Sequence, residues 1–217
     1  MSNMIRFWEK GSKIVAVARN YVAHAKELGN EVPTEPFFFL KPMSSYVRQG
    51  SPIEIPRQTN DVHHEVELGV VIGKRGRDIT SANAMDHVGG YTLALDLTAR
   101  DLQSKAKEKQ QCWTIAKGFD TFCPISDFIP KDKIANPGNI ELWLSVDGAI
   151  KQKDFTSKMI FGIPELIQFV SQVMTLEEGD VILTGTPAGV GPLKAGQKVR
   201  AGISDVIEME FDIIQRK

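Results

Sequence analysis

Two stretches of sequence decide the fold: HHEVELGVVIGK at residues 63–74 and GGYTLALDLTA at residues 89–99. Both are rich in aliphatic and β-branched residues and have the length of strands, so each is predicted to be a long strand. Acidic residues interrupt them at Glu65 and Glu67 in the first stretch and at Asp96 in the second. Because side chains two positions apart on a strand share a face, Glu65 and Glu67 are predicted to point the same way.

The surrounding sequence predicts more strands than helices. A hairpin is expected around Asp147-Gly148, a pair that favours the type I′ turn and lies between alternating residues. Further strands are expected in KIVAVAR (13–19), PFFFLKP (36–42), SPIEIP (51–56), DVILT (180–184) and VIEMEFDII (206–214). Helices are expected in YVAHAKEL (21–28, capped by Asn20), from Thr80 or Ser81 to Met85, in ARDLQSKAKEK (99–109) and in IPELIQFVSQVM (163–174). Because strands and helices do not alternate regularly, we expect a β-rich α+β domain, a folded-over sheet or sandwich rather than a doubly wound one.

Composition narrows the class of protein. Lysine and arginine number 26 and aspartate and glutamate 27 over 217 residues, which removes the electrostatic reason to expect nucleic acid or an anionic membrane as a partner. No apolar run approaches the roughly 18 residues of a membrane span. The two cysteines, Cys112 and Cys123, are too few for a disulfide scaffold. The N-terminal residues are charged and lack the apolar segment of a secretory signal, so we expect a mitochondrial or cytoplasmic protein and not a secreted one.

The three acidic residues admit two interpretations. Glu65 and Glu67 could lie on the solvent-exposed face of an amphipathic strand. Asp96 favours a shared site instead, because aspartate is rare inside strands and an unpaired buried carboxylate is costly. Three carboxylates brought together need a cation, and hard oxygen ligands suit Mg²⁺, Mn²⁺ or Ca²⁺. Three protein oxygens on an octahedral Mg²⁺ leave about three positions for water and substrate, which is the layout of a catalytic site.

The histidines offer a competing metal site and a candidate base. His63 and His64 precede Glu65, but adjacent strand residues face opposite ways, so only His63 would join the glutamates and a zinc or iron site is disfavoured. His24 lies three residues before Glu27 on a predicted helix, where the two side chains are neighbours. A carboxylate beside an imidazole raises its basicity, which suits a general base, although an ordinary surface pair has the same spacing.

Five further residues are candidates for binding an anion. Arg19 ends the first predicted strand, and Arg100 and Gln103 follow the second decisive strand at its turn into a helix. Lys117 lies in WTIAKGF, between apolar residues and a glycine, where a buried lysine competes with a snorkelling one. Thr186 lies in TGTPAGVG, whose backbone N–H groups and hydroxyl could hold a carboxylate. Each residue alone is a weak signal, and together they describe a pocket for an anionic substrate.

The motifs HHEVELGVVIGK, GGYTLALDLTARDLQ, WTIAKGFDTFCP and LTGTPAGVG together resemble the fumarylacetoacetate hydrolase family. The resemblance implies that family's mixed β-sandwich roll, as a single catalytic domain over 1–217 with a lid at about 20–36, and it implies a homodimer. It also implies Mg²⁺ or Mn²⁺ as the cofactor. The residues that match the family's metal ligands are Glu65, Glu67 and Asp96, and those that match its water-activating pair are His24 and Glu27. Lys117 and Gln103 match the residues next to the developing oxyanion, and Arg19 and Thr186 match those that contact the 2-oxo acid. Arg100 is a third candidate for substrate binding because of its position in the sequence.

Short members of this family act on acylpyruvates and oxaloacetate, and this gives the expected function. We expect Mg²⁺- or Mn²⁺-dependent hydrolysis of the C–C bond of acylpyruvates, which are 2,4-dioxo acids, to pyruvate and a carboxylic acid. Loss of carbon dioxide from oxaloacetate would give the same pyruvate enolate, so decarboxylase activity is expected at the same site. The alternatives are an oxaloacetate tautomerase or a 2-hydroxy-dienoate isomerase at that site, or a non-catalytic protein that binds a metal or a keto acid.

Overall fold

The structure is a computed structural model that describes residues 4–217, so residues 1–3 of the expected domain and of its N-terminal segment lie outside the described residues. The strands are β1 Ile14–Ala18, β2 Phe37–Lys41, β3 Tyr46–Arg48, β4 Ile53–Ile55, β5 Val62–His64, β6 Val66–Ile72, β7 Val88–Leu95, β8 Thr98–Ala99, β9 Cys123–Ile125, β10 Ile129–Pro130, β11 Glu141–Val146, β12 Ala149–Phe155, β13 Val181–Leu183, β14 Gly191–Leu193, β15 Lys198–Ile203 and β16 Ile207–Gln215. The α-helices are α1 Val22–Glu27, α2 Arg100–Glu108, α3 Thr114–Lys117 and α4 Ile163–Val173. Short 3₁₀ helices are Met4–Glu9, Met43–Ser45, Ala84–His87, Lys131–Lys133 and Thr156–Lys158.

Three sheets form the architecture. The largest has the order β2-β1-β13-β6-β7-β9-β3, with β10 also paired to β7, and it mixes parallel and antiparallel neighbours. The second has the order β12-β11-β15-β16-β4, and the third is β14-β5-β8. Because β11 packs against β6, and β15 and β16 pack against β7, the second sheet lies over the middle of the first. This arrangement confirms the expected β-rich α+β class and the mixed β-sandwich roll.

The main hydrophobic core fills the space between the sheets and α4. Leu68 and Leu93 of the largest sheet belong to the same buried cluster as Leu144 of the second sheet and Leu166 of α4. The other face of the largest sheet carries a second cluster, into which Phe7 of the N-terminal 3₁₀ helix is buried. The central strands are therefore covered on both faces, and every residue of β6 is buried. A charged side chain on such a strand needs a compensating partner. None of the helices between residues 4 and 217 combines the length and the hydropathy that a membrane crossing requires.

Both decisive stretches break at their acidic residues, which corrects the expectation of single strands over 63–74 and 89–99. The first divides into β5 and β6 around Glu65, and the second divides into β7 and β8 around Asp96. β6 pairs with β7 in the largest sheet, whereas β5 pairs with β8 in the three-stranded sheet. The two breaks therefore lie side by side where the chain passes from one sheet to the other, and the Asp96 amide donates to the Glu65 carbonyl at 2.9 Å there.

Local signals in the sequence predict some elements correctly and miss others. The hairpin of β11 and β12 is confirmed, and the positive φ angles of 50° at Asp147 and 81° at Gly148 are those of the type I′ turn. α4 is confirmed, with its proline in the first turn. The helix expected from Thr80 or Ser81 to Met85 is instead a turn followed by the 3₁₀ helix Ala84–His87.

Asn20 does not cap α1, in contrast to the prediction from its position. Its side-chain amide donates to the carbonyl oxygens of Thr184 at 2.8 Å and Phe161 at 3.0 Å, and its Oδ1 accepts from the Phe161 amide at 2.8 Å. These bonds tie the start of α1 to the segment that follows β13. They were not predictable from sequence because the partners lie more than a hundred positions away in the chain.

Asp180 joins the starts of two central strands. Its Oδ1 accepts from the Ser12 amide at 2.7 Å and from the Lys13 amide at 3.1 Å, and its Oδ2 pairs with the Lys13 ammonium at 2.5 Å and accepts from the Glu177 amide at 2.8 Å. The carboxylate is buried, and it lies just before β13, while Ser12 and Lys13 lie just before β1. The far ends of these two strands lead to Arg19 and Thr184, so Asp180 sets the relative position of two segments near the candidate site.

We expect Asp180→Ala to lower the free energy of unfolding by about 3–5 kcal/mol, because it leaves the Lys13 ammonium and several amides without an acceptor. Urea unfolding measures the loss. The matched control is Glu208→Ala, which removes one partner of the exposed Arg200–Glu208 pair and should cost less than about 1 kcal/mol. Equal losses in the two variants would contradict the structural role of Asp180.

Candidate functional site

Three buried carboxylates meet at the breaks between the sheets. One oxygen from each of Glu65, Glu67 and Asp96 lies within 4.8 Å of the other two. Glu65 and Glu67 are 5% and 1% exposed, which excludes the interpretation that they line a solvent-exposed strand face. Asp96 is 1% exposed and enters the cluster from the break after β7. The predicted convergence of the three side chains is therefore what the structure shows.

Cationic side chains surround two of the three carboxylates. The Lys117 ammonium donates to Glu65 Oε2 at 2.9 Å and to Asp96 Oδ2 at 2.5 Å, and Arg100 donates to Glu65 Oε1 at 2.6 Å. Lys41, at the end of edge strand β2, donates to Asp96 Oδ1 at 2.6 Å. Burial acts to raise the pKa of Glu65, but Lys117 and Arg100 outweigh it and hold that pKa below its ordinary value. Glu65 therefore stays ionised in its buried position.

Glu67 is the least compensated of the three. Its Oε2 accepts from the Gly185 amide at 2.7 Å, and no ion pair involves it among residues 4–217. Burial, Asp96 and Glu65 raise its pKa well above the ordinary value. Gly185 has a φ of 96°, and a Cβ there would lie 2.7 Å from the Asn20 side chain, so only glycine can present this amide without strain.

The donor set fits a divalent cation. The available ligands are carboxylate oxygens, which Mg²⁺ and Mn²⁺ prefer over the nitrogen and sulfur ligands typical of zinc. Glu67, whose carboxylate is repelled by Asp96 and Glu65, would gain the most from a bound positive charge. Histidine does not join the cluster: the Nε2 of His63 pairs with Asp61 at 2.9 Å, and the Nδ1 of His64 pairs with Gln152 at 3.0 Å. The competing histidine site is therefore not formed in the described part of the chain.

His24 and Glu27 form the predicted pair on α1. The Nδ1 of His24 lies 3.4 Å from Glu27 Oε2, and Glu27 also accepts from the Gly189 amide at 3.0 Å. His24 is buried, and burial lowers its pKa, although Glu65 and Glu27 act in the opposite direction. A neutral imidazole at neutral pH can accept a proton, as a general base must. His24 lines the same pocket as the three carboxylates.

The candidate substrate residues line that pocket as well. Arg19, Arg100, Gln103, Lys117 and Thr186 all contribute to its wall. Arg19 has a φ of 57°, an uncommon conformation for arginine, at the point where β1 turns into α1. Arg100 donates to Gln103 Oε1 at 2.8 Å. The structure thus brings together every candidate site residue except Glu27, which reaches the pocket through His24, and the roles assigned to these residues stay predictions.

Two buried residues of the site were not predicted from the sequence. Lys41 is 1% exposed and pairs with Asp96, but its sequence context, PFFFLKP, predicts only a strand end. Gln152 lies on the largely exposed strand β12 and is itself 1% exposed. A single polar residue in a polar strand gives no signal that its side chain turns inward.

Gln152 connects the carboxylate strand to the loop after β13. Its Nε2 donates to Thr186 Oγ1 and to the Pro187 carbonyl, both at 2.8 Å. Its Oε1 accepts from the Val66 amide at 3.1 Å and lies 3.0 Å from the His64 Nδ1. All four hydrogen-bonding positions of the amide are used, so the side chain is fixed and holds the Thr186 hydroxyl relative to the backbone between the two glutamates.

Comparisons with known proteins agree with this geometry. Residues 13–214 match the family described as fumarylacetoacetate (FAA) hydrolase C-terminal. The mitochondrial oxaloacetate decarboxylase of Dictyostelium discoideum is 66% identical over 216 residues, covering 99% of each chain. The mitochondrial oxaloacetate tautomerase FAHD1 of Homo sapiens is 52% identical over 208 residues, covering 96% of this chain and 94% of that one. The fumarylpyruvate hydrolase of Pseudomonas aeruginosa, solved in complex with Mn²⁺ and pyruvate, has a TM-score of 0.89 and 36% identity, covering 94% of this chain and 90% of that one.

If Gln152 positions Thr186, Gln152→Met should raise the KM for a 2-oxo acid substrate by about tenfold, the change that about 1.4 kcal/mol of lost binding produces. Most of this effect should vanish in a Thr186→Val background, because residues that act through one contact are not additive. Lys153→Met, an exposed substitution on the same strand, is the control. The measurement is the steady-state KM of Gln152→Met, of Thr186→Val, of the double variant and of the control. Additive losses from Gln152→Met and Thr186→Val would show that Gln152 does not act through Thr186.

Proposed function

The chain belongs to the fumarylacetoacetate hydrolase family, and on that premise we propose that it is an Mg²⁺- or Mn²⁺-dependent enzyme that converts oxaloacetate and related 2-oxo acids. The observation that carries the proposal is the convergence of Glu65, Glu67 and Asp96 on a pocket that His24 also lines. Relatives that cover almost all of the chain are named as an oxaloacetate decarboxylase and as oxaloacetate tautomerases. Both reactions place negative charge on the 2-oxo oxygen, and this is the charge that the pocket is suited to stabilise.

A divalent cation held by the three carboxylates would supply Lewis-acid polarisation of the 2-oxo group. The residues of the chain supply the rest. Arg19 and Thr186 orient the substrate carboxylate, since both line the pocket. Lys117 stabilises negative charge on oxygen: burial acts to lower its pKa, but Asp96 and Glu65 outweigh burial and raise it, so the side chain stays an ammonium. His24 accepts or returns the proton, with Glu27 fixing its ring orientation.

Hydrolysis of acylpyruvates is a second candidate activity, and the His24–Glu27 pair favours it. Hydrolysis needs a water made nucleophilic by a base, and a buried imidazole held by a carboxylate suits that task. The attack at the 4-oxo carbon breaks the bond between carbons 3 and 4, the electron pair passes into the pyruvate enolate, and protonation at carbon 3 releases pyruvate and a carboxylic acid. The name of the Pseudomonas aeruginosa structure, a fumarylpyruvate hydrolase, lends support to this reaction.

We also propose a lid, a homodimer and a mitochondrial location. Residues 20–36 would form the lid, because Glu27 in this segment accepts from the Gly189 amide in the loop after β13. Slower amide hydrogen exchange in residues 20–36 with oxalate would test it. A homodimer would cover edge strand β2, which exposes the apolar side chains of Phe37 and Leu40. Analytical ultracentrifugation tests the oligomeric state.

The mitochondrial location is supported by the relatives that are named as mitochondrial, and imaging of a tagged chain would test it.

A substrate panel with metal removal tests the proposed function. We expect chelator-treated protein to be inactive towards oxaloacetate and acetylpyruvate, and Mg²⁺ or Mn²⁺ to restore turnover, because the carboxylate cluster needs the cation to polarise the substrate. Tautomerisation, decarboxylation and hydrolysis are followed separately by absorbance, released carbon dioxide and released acetate. Metal-dependent stability without turnover of either substrate would instead indicate a non-catalytic binding protein.

Glu27→Gln separates hydrolysis from the other reactions. The variant keeps the size of the side chain but loses the charge that supports His24, so acetylpyruvate hydrolysis should fall by about 10²–10⁴. Oxaloacetate decarboxylation should fall less, because it needs no activated water. Glu178→Gln, in the exposed turn before β13 and outside the pocket, is the matched control. An unchanged ratio of the two kcat/KM values in Glu27→Gln would show that the pair does not activate water.

A further inference from the structure

Lys107 is a pocket residue that the proposed reactions leave unused. It lies in the last turn of α2, and its ammonium is 5.4 Å from the centroid of the Trp113 ring. Both side chains line the pocket that contains the three carboxylates, together with Arg19. Lys107 is exposed, and its side chain passes over an aromatic ring and lines the pocket.

The charges of the pocket are unevenly paired. Four cationic side chains line it: Arg19, Arg100, Lys107 and Lys117. Arg100 and Lys117 are paired with Glu65 or Asp96. In residues 4–217 neither Arg19 nor Lys107 forms an ion pair with a carboxylate. Two unpaired cations therefore face one pocket, and a divalent metal on the acidic cluster would add to the positive charge.

Positive charges lie near the Lys107 ammonium, although the residue itself is exposed. Burial lowers the pKa of its ammonium, and the positive charges of Arg19 and Arg100 lower it further. Such repulsion is relieved when an anion enters between the cations. A substrate with one carboxylate can satisfy one unpaired cation, whereas a substrate with two carboxylates can satisfy both.

We propose that Lys107 binds the second carboxylate of a dianionic 2-oxo acid such as oxaloacetate, while Arg19 faces the carboxylate next to the 2-oxo group. This inference rests on the proposed function and adds to it a preference for dicarboxylates over monocarboxylates. Lys107 thus determines substrate specificity and takes no part in proton transfer. The recognition is electrostatic, so it weakens with rising ionic strength.

The contact has a consequence for the choice between two reactions of oxaloacetate. In tautomerisation a proton leaves carbon 3 and a proton joins the 2-oxo oxygen, and the second carboxylate keeps its charge throughout. In decarboxylation the bond between carbons 3 and 4 breaks, its electron pair moves into the enolate, and neutral carbon dioxide leaves. Lys107 therefore binds the ground state and the transition state of tautomerisation equally, but it binds the ground state of decarboxylation more strongly than the transition state. It biases the site towards tautomerisation.

The test compares Lys107→Met with Lys105→Met, which removes a lysine of the same helix that does not line the pocket. In Lys107→Met, the ratio of kcat/KM for oxaloacetate to kcat/KM for acetylpyruvate should fall about tenfold, mainly through KM. The ratio of kcat for decarboxylation to kcat for tautomerisation should rise. Lys107→Arg should restore the substrate preference, and Lys105→Met should match the wild type.

Equal losses for both substrates in Lys107→Met, or the same change in Lys105→Met, would overturn the inference. A binding measurement keeps it separate from the proposed function. Calorimetric titration in Mg²⁺ should show that the wild type binds malate, with two carboxylates, more tightly than lactate, with one, and that Lys107→Met loses this preference. An absence of turnover in the wild type would refute the proposed function alone, whereas a malate preference unchanged in Lys107→Met would refute the role of Lys107.

Discussion

The mutual repulsion of Glu65, Glu67 and Asp96, buried with oxygens within 4.8 Å of one another, is the constraint on which the rest of the site depends. An uncompensated buried carboxylate is costly, so the fold surrounds two of the three with cations. Lys117 donates to both Glu65 and Asp96. Arg100 donates to the other oxygen of Glu65, and Lys41 donates to the other oxygen of Asp96. Within residues 4–217, the only donor to Glu67 is the backbone amide of Gly185. The protein is thus arranged to leave one part of the cluster dependent on a further positive charge, which a divalent metal can provide.

This constraint explains the shape of the fold at the site. A carboxylate in the middle of a covered sheet would be isolated. Glu65 and Asp96 lie in the breaks where the largest sheet parts from the three-stranded one, and Glu67 is the second residue of β6, next to the break. At this parting, α1, α2 and the loop after β13 bring His24, Arg100 and Thr186 to the same pocket. Relatives named as a decarboxylase, a tautomerase and a hydrolase use one scaffold.

The sequence predicts the site through patterns that are local. Glu65 and Glu67 are two positions apart on a strand, and His24 and Glu27 are three apart on a helix, so their pairing follows from backbone geometry. Other parts depend on contacts between distant segments. Lys41 contacts Asp96, which is 55 positions away in the sequence, and Gln152 contacts the backbone of β6, 86 positions away. Local sequence patterns do not predict contacts between residues so far apart. For the same reason, the sequence predicts continuous strands where the structure divides them between two sheets.

If Glu65, Glu67 and Asp96 hold a divalent cation, the protein should bind Mn²⁺, and electron paramagnetic resonance measures this binding. Chelator-treated protein is titrated with Mn²⁺, and the loss of the free-ion signal gives the number bound per chain. We expect one tightly bound Mn²⁺ per chain and a change in its spectrum when oxalate is added. We also expect Glu67→Gln to lose the tight site, because it replaces the least compensated carboxylate of the three. Tight binding that persists unchanged in Glu67→Gln, or no tight binding in the wild type, would contradict this role of the three carboxylates.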